Sequence, residues 1–99
     1  MEYRVQAINF TADQKLVEFV EGKTKKLNLF FGEIISCHAF MKVDKKSTSN
    51  NKVAEIRLNL PGKELFAKKQ SDSFEEATDL VVEALRRQLL KFKQKKMAS

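Results

Sequence analysis

The sequence predicts an α+β domain of order β-α-β-β-β-α, a four-stranded sheet with two parallel helices packed on one face. Three observations carry this. Residues 73–96, SFEEATDLVVEALRRQLLKFKQKK, place Phe74, Ala77, Val81, Leu85, Leu89 and Phe92 at spacings of three and four, one face of a helix. Leu16, Phe19, Val20 and Leu27 form a similar stripe earlier in the chain. Between and before these helices lie segments that alternate apolar and polar residues, the period of a strand with one buried face.

Taken in order, Tyr3 to Asn9 is the first strand, with Tyr3, Val5 and Ala7 on one side and Arg4 and Gln6 on the other. Phe10-Thr11 follows, and Thr11 with Gln14 three residues on reads as a capping box opening the first helix. Gly22 interrupts that helix at a cost of about 1 kcal/mol relative to Ala, which suggests close packing there. The helix ends near Phe30-Phe31, with Gly32 as its C′ residue. Glu33 to Val43 reads as a second strand, with Ile35, Cys37, Ala39, Met41 and Val43 on one face and Ser36, His38 and Lys42 on the other. Residues 44–52, DKKSTSNNK, are polar and breaker-rich, the composition of a mobile hairpin loop. Val53 to Leu60 is the third strand, with Ala54, Ile56, Leu58 and Leu60 alternating against Glu55, Arg57 and Asn59. Pro61-Gly62 makes a tight turn. Glu64 to Ser71 is the fourth strand, with Leu65 and Ala67 inward. Asp72 or Ser73 caps the last helix, and Ser73-x-x-Glu76 fits a capping box.

This order has a geometric consequence. A helix between two parallel strands crosses over in the right-handed sense, so both helices run the same way across the same sheet face. The basic residues late in each helix then approach one another: Lys23, Lys25 and Lys26 on the first, Arg86, Arg87, Lys91, Lys93 and Lys95 on the second.

Charge makes that convergence matter. The chain carries a net +6 over 99 residues, a length that suits one domain. All 13 acids lie at or before Glu83, and six of the 19 basic residues follow it, from Arg86 to Lys96. The rest of the chain is therefore neutral, and the whole excess sits at one helix end. Dipole complementation needs only one or two cations in a last turn; six over three turns point to a polyanion. Lys outnumbers Arg among these eight candidates, which suits point-charge contacts to phosphates more than bidentate contacts to bases. Phe30, Phe31 and Phe92 read as core residues more than as stacking platforms, so shape and charge are the expected mode of recognition.

Other chemistry is not signalled. The single histidine, His38, lies mid-strand, and Cys37 faces the core. No metal-ligand spacing and no glycine-rich phosphate loop occur. The expectation is a non-enzyme without metal or other cofactor. One cysteine, no apolar leader and no run of about 20 apolar residues suggest a cytoplasmic protein.

The last helix also resembles a known family. Asp72, Phe74, Ala77, Asp79, Arg87, Gln88 and Leu89 match the closing segment of the ribosome hibernation promoting factors, also called ribosome-associated inhibitor A or sigma-54 modulation proteins. The segment GKTKKLNLFFGEIIS, with Lys23, Lys26, Leu27, Phe30 and Phe31, resembles the end of that family's first helix, and Leu60-Pro61-Gly62 its hairpin turn. The resemblance spans essentially the whole chain. It implies that residues 1–99 form a single ribosome-binding domain of the short form. It further implies binding to the small ribosomal subunit and its rRNA in the channel for mRNA and tRNA, and inhibition of translation by occlusion in stationary phase or stress. By position, Lys23, Lys26, Arg86, Arg87, Lys91 and Lys95 are the family's candidate rRNA contacts, with Lys25 and Lys93 beside them in the sequence-derived patch. A monomer off the ribosome is expected, with no membrane and no small-molecule partner. The alternative is a general double-stranded RNA-binding module.

Overall fold

A computed structural model describes residues 1–98, with backbone alone at 96–98. The elements are β1 (Glu2–Ile8), α1 (Gln14–Phe31), β2 (Ser36–Val43), β3 (Lys52–Leu60), β4 (Lys63–Ser71) and α2 (Phe74–Ala98). The sheet order is β1-β2-β3-β4. β1 and β2 are parallel, and the two following pairs are antiparallel. The order and architecture are those read from the sequence.

Both helices cover one sheet face, and a single core lies between. From α1 it takes Leu16, Val20 and Leu27; from α2, Ala77, Val81, Leu85 and Leu89, all four fully buried. Beneath them lie the inward residues of β2 and β3, among them Cys37, Ala39, Met41, Ile56 and Leu58. Full burial of a side chain such as Leu85 is worth about 1.5–3 kcal/mol, so the α2 stripe anchors the helix. Two polar residues join this core at helical spacing. The Thr24 hydroxyl donates to the carbonyls of Val20 and Glu21 at 3.0 Å each, satisfied within its own helix. Thr78 Oγ1 donates to Met41 Sδ at 3.7 Å.

The helix ends follow local chemistry, with one shift. Asp13, not Thr11, caps α1: its carboxylate accepts the Leu16 N–H at 2.8 Å. The pattern with Gln14 fails because the helix begins three residues beyond Thr11. Between β1 and α1 the chain turns at Asn9, whose φ of 68° is tolerated by Asn better than by most residues. Phe10 then stacks on Phe74 at 4.6 Å, joining the starts of both helices. At the other end Gly32 adopts φ 83° and donates its N–H to the Asn28 carbonyl, a left-handed closure that glycine makes without strain. Ser73 caps α2, its hydroxyl accepting the Glu76 N–H at 3.0 Å.

Three further expectations are corrected. Gly22 faces open space, so its lack of a side chain serves no close packing. Ile34 is buried and Ile35 exposed, the reverse of the alternation; both precede β2, where the chain leaving Gly32 has not yet become a strand. The 44–52 segment, read as a mobile loop, is held by hydrogen bonds. The Asn50 N–H donates to Asp72 at 2.7 Å, and Gln70 Nε2 donates to Asp44 and to the Asn50 carbonyl.

Candidate nucleic-acid interface

Two α-helices running side by side make a groove, and contacts along it show that they run in the same direction. Lys23 Nζ meets Asp79 at 3.0 Å. Further along, Arg86 lies over the Phe30 ring at 5.3 Å, and Phe31 meets Phe92 at 5.8 Å. Position advances on both helices together. The groove is lined by Lys23, Lys26, Phe30, Asp79, Glu83 and Arg86.

The basic residues nevertheless do not form one even patch. None lies in the last turn of α1; Lys23, Lys25 and Lys26 sit mid-helix, and Lys23 and Lys26 face the first half of α2. Two of them are already engaged, Lys23 by Asp79 and Lys25 by Glu21 at 2.8 Å. Lys26 has no ion-pair partner among the described residues. On α2, Arg86 and Lys93 both approach the Phe30 ring, Lys93 at 5.8 Å. Each such cation–π contact is worth about 0.5–1 kcal/mol at an exposed site, and it orients the charge over a fixed platform. Arg87 occupies the outer crest, 75% exposed, with Glu83 at 3.6 Å. Lys91 and Lys95 turn to the far flank, where they share a second groove with Lys63, Glu64, Gln88 and Phe92. Gln88 fixes that flank to the sheet edge by donating to the Phe66 carbonyl at 3.0 Å. Lys63, the first residue of β4, is a cation the sequence reading did not include. The Lys96 side chain lies outside the described residues.

The surface is thus a cationic half-cylinder around the second half of α2. Exposed ion pairs contribute about 0–1 kcal/mol, so the pairs to Lys25 and Arg87 can be exchanged for phosphates at little cost. Arg86, Lys91, Lys93 and Lys95 have no acid partner among the described residues.

Burial pushes the Cys37 thiol up to about 12, outweighing the Thr24 hydroxyl that favours thiolate, so it is unreactive at neutral pH. Burial likewise raises the Tyr3 hydroxyl to about 12. Among the described residues no cluster of His, Cys, Asp and Glu could hold a metal ion, and no helix is long and apolar enough to cross a membrane.

The comparisons with known proteins follow this geometry. A family model described as sigma 54 modulation protein / S30EA ribosomal protein matches residues 3–97. The chain belongs to that family. It is 28% identical over 95 residues to a ribosome hibernation promoting factor of Klebsiella oxytoca, covering 96% of each chain. It is 27% identical over 93 residues to a ribosome hibernation promotion factor of Staphylococcus aureus, with 94% of this chain aligned. The chain spans about half the length, 48%, of that relative. Among solved structures, a ribosomal subunit interface protein from Coxiella burnetii superposes with a TM-score of 0.85 at 24% identity, over 95% of this chain and 99% of that one. The Thermus thermophilus Protein Y N-terminal domain gives 0.79 at 19%, over 93% and 99%. At those identities the two structures speak to the fold.

Proposed function

We propose that this chain is a ribosome hibernation factor. It binds the small ribosomal subunit in the channel for mRNA and tRNA and inhibits translation by occupying that space in stationary phase or stress. The observation that carries the reading is the cationic surface of α2, where Arg86, Lys91, Lys93 and Lys95 have no acid partner among the described residues, flanked by Lys26 and Lys63, on a chain whose family relatives are ribosome hibernation factors. Catalysis is not required. A compact domain held by phosphate contacts blocks whatever else needs the same volume. The binding residues are Lys23, Lys25, Lys26, Arg86, Arg87, Lys91, Lys93 and Lys95. Lys26, Arg86, Lys91, Lys93 and Lys95 contribute most because no acid among the described residues competes for them. Each phosphate neutralised releases counterions, so affinity falls steeply with salt.

Sedimentation with purified ribosomal subunits at low and moderate salt tests this. Comigration with small subunits that persists against excess competitor duplex RNA is the expected result. Equal loss to any duplex would instead mark a general double-stranded RNA-binding module. Absence of comigration at low salt would reject both.

A further inference from the structure

The helices leave the outer face of the sheet uncovered, and the strand register arranges it in rows. One row crosses all four strands: Arg4 pairs with His38, His38 with Arg57, and Arg57 with Phe66. Phe40, two residues from His38 on the same face, stacks on the His38 ring at 4.0 Å between centroids. The Arg57 guanidinium lies 5.8 Å from the Phe40 ring centre and 5.6 Å from that of Phe66. Phe66 is 45% exposed. The result is a continuous shelf of flat groups, aromatic rings alternating with guanidinium planes.

The remaining groups define its chemistry. The neighbouring row on one side runs from Glu2 through Ser36 and Asn59 to Glu64. Glu55 lies on the other side and engages Arg57 at 3.6 Å. Lys68, paired with Glu55, and Lys42 add cations in the neighbouring rows, while the two guanidinium planes belong to the Arg4–Arg57 row. Burial and the two neighbouring arginines lower the His38 pKa against a weaker opposing effect of Glu55, leaving a neutral imidazole. Its Nε2 is shielded and has no hydrogen-bond partner. Ile8 and Val53 are the only aliphatic side chains among the outward strand positions, so an apolar protein partner has little to bury. Planar rings interleaved with cations suit stacked bases whose phosphates reach the arginines.

We propose that this outer row is a binding platform for single-stranded RNA, separate from the helical surface. Phe66 and Phe40 stack bases, Arg4 and Arg57 take the adjoining phosphates, and Ser36 and Asn59 supply polar edges. The proposal stands on the sheet alone and does not depend on the ribosomal reading of the helices.

Titration of the isotope-labelled full chain with a uridine decamer, followed by amide chemical shifts, tests it. Shifts are expected at Arg4, His38, Phe40, Arg57 and Phe66. The Phe66→Leu variant keeps apolar cover but loses the π face, and should weaken decamer binding roughly tenfold. Phe66 is partly exposed, so the variant folds, which an unchanged spectrum of the core amides verifies. Shifts confined to α1 and α2, equal affinity of Phe66→Leu and the parent, or preference for a thymidine decamer over the RNA would each overturn the proposal. A chain that fails to comigrate with small subunits yet shows these shifts retains the platform and loses the ribosomal reading.

Discussion

The two flanks of α2 carry the same kind of charge in different surroundings. Toward α1, Arg86 and Lys93 rest on one ring, Phe30, and Lys23 is held by Asp79 across the groove. Toward β4, Lys91 and Lys95 stand beside Lys63 with no ion pair and no cation–π contact among the described residues. The first flank presents oriented charge with part of its side-chain entropy already lost. The second presents mobile charge that adapts to whatever phosphate approaches. A count of cations treats the flanks as equal, but their surroundings make one a positioning surface and the other an electrostatic one.

Five perturbations probe the flanks. The largest effect removes the base both share. Leu85→Ala opens a cavity under α2 and should destabilise the domain by roughly 2–5 kcal/mol, read by chemical denaturation. Binding through both flanks should fail together wherever the domain is unfolded. Next, Arg87→Glu with Lys91→Glu reverses charge on the crest and the outer flank. Small-subunit binding should be abolished in sedimentation, while thermal melting reports a stability change within about 0.5 kcal/mol per exposed site. Normal translational inhibition by this double variant would remove α2 from the interface.

Smaller effects test the difference itself. Phe30→Leu preserves every charge but removes the platform under Arg86 and Lys93. It should cost about 0.5–1 kcal/mol per lost cation–π contact, seen as a few-fold weaker subunit affinity with an unchanged salt slope. Lys95→Ala should do the reverse, lowering the slope by about one phosphate with little dependence on geometry. Were the two variants to behave alike, the flanks would be equivalent. Smallest of all, Lys23→Ala should alter affinity least, because Asp79 already neutralises that ammonium; a loss as great as that of Lys95→Ala would show that the ion pair opens on binding.

Much of the fold is legible in local pattern. The α2 stripe is buried as its spacing demands, and the Ser73 cap and Gly32 closure lie where the residue types ask for them. Misreadings fall where two local signals competed or a pattern ended. Thr11 and Asp13 are both good caps, and only the true start of α1 selects Asp13. Ile34 and Ile35 are equally apolar, and the alternation of β2 was extended past its first residue. Thr24 and Thr78 lie on the apolar stripes, but a polar side chain gives no hydrophobic signal even when its hydroxyl is satisfied within the core. The candidate site divides likewise. The division of charge along α2 is plain from composition. The engagement of Lys23 by Asp79, the shared ring under Arg86 and Lys93, and the arrival of Lys63 beside Lys91 involve partners far apart in the chain, which no local window contains.

The amino-acid order alone determined which segments are helices and strands, which face of each is apolar, and that the positive excess belongs to the last helix. Those properties arise from periodicity, capping and charge within a few turns of chain. Only the folded molecule decided which cations are neutralised, which are seated on a ring, and that Arg4, His38, Arg57 and Phe66 stand in one line. Strand register and helix packing bring such residues together, and both are set by burial of the whole core rather than by any single segment.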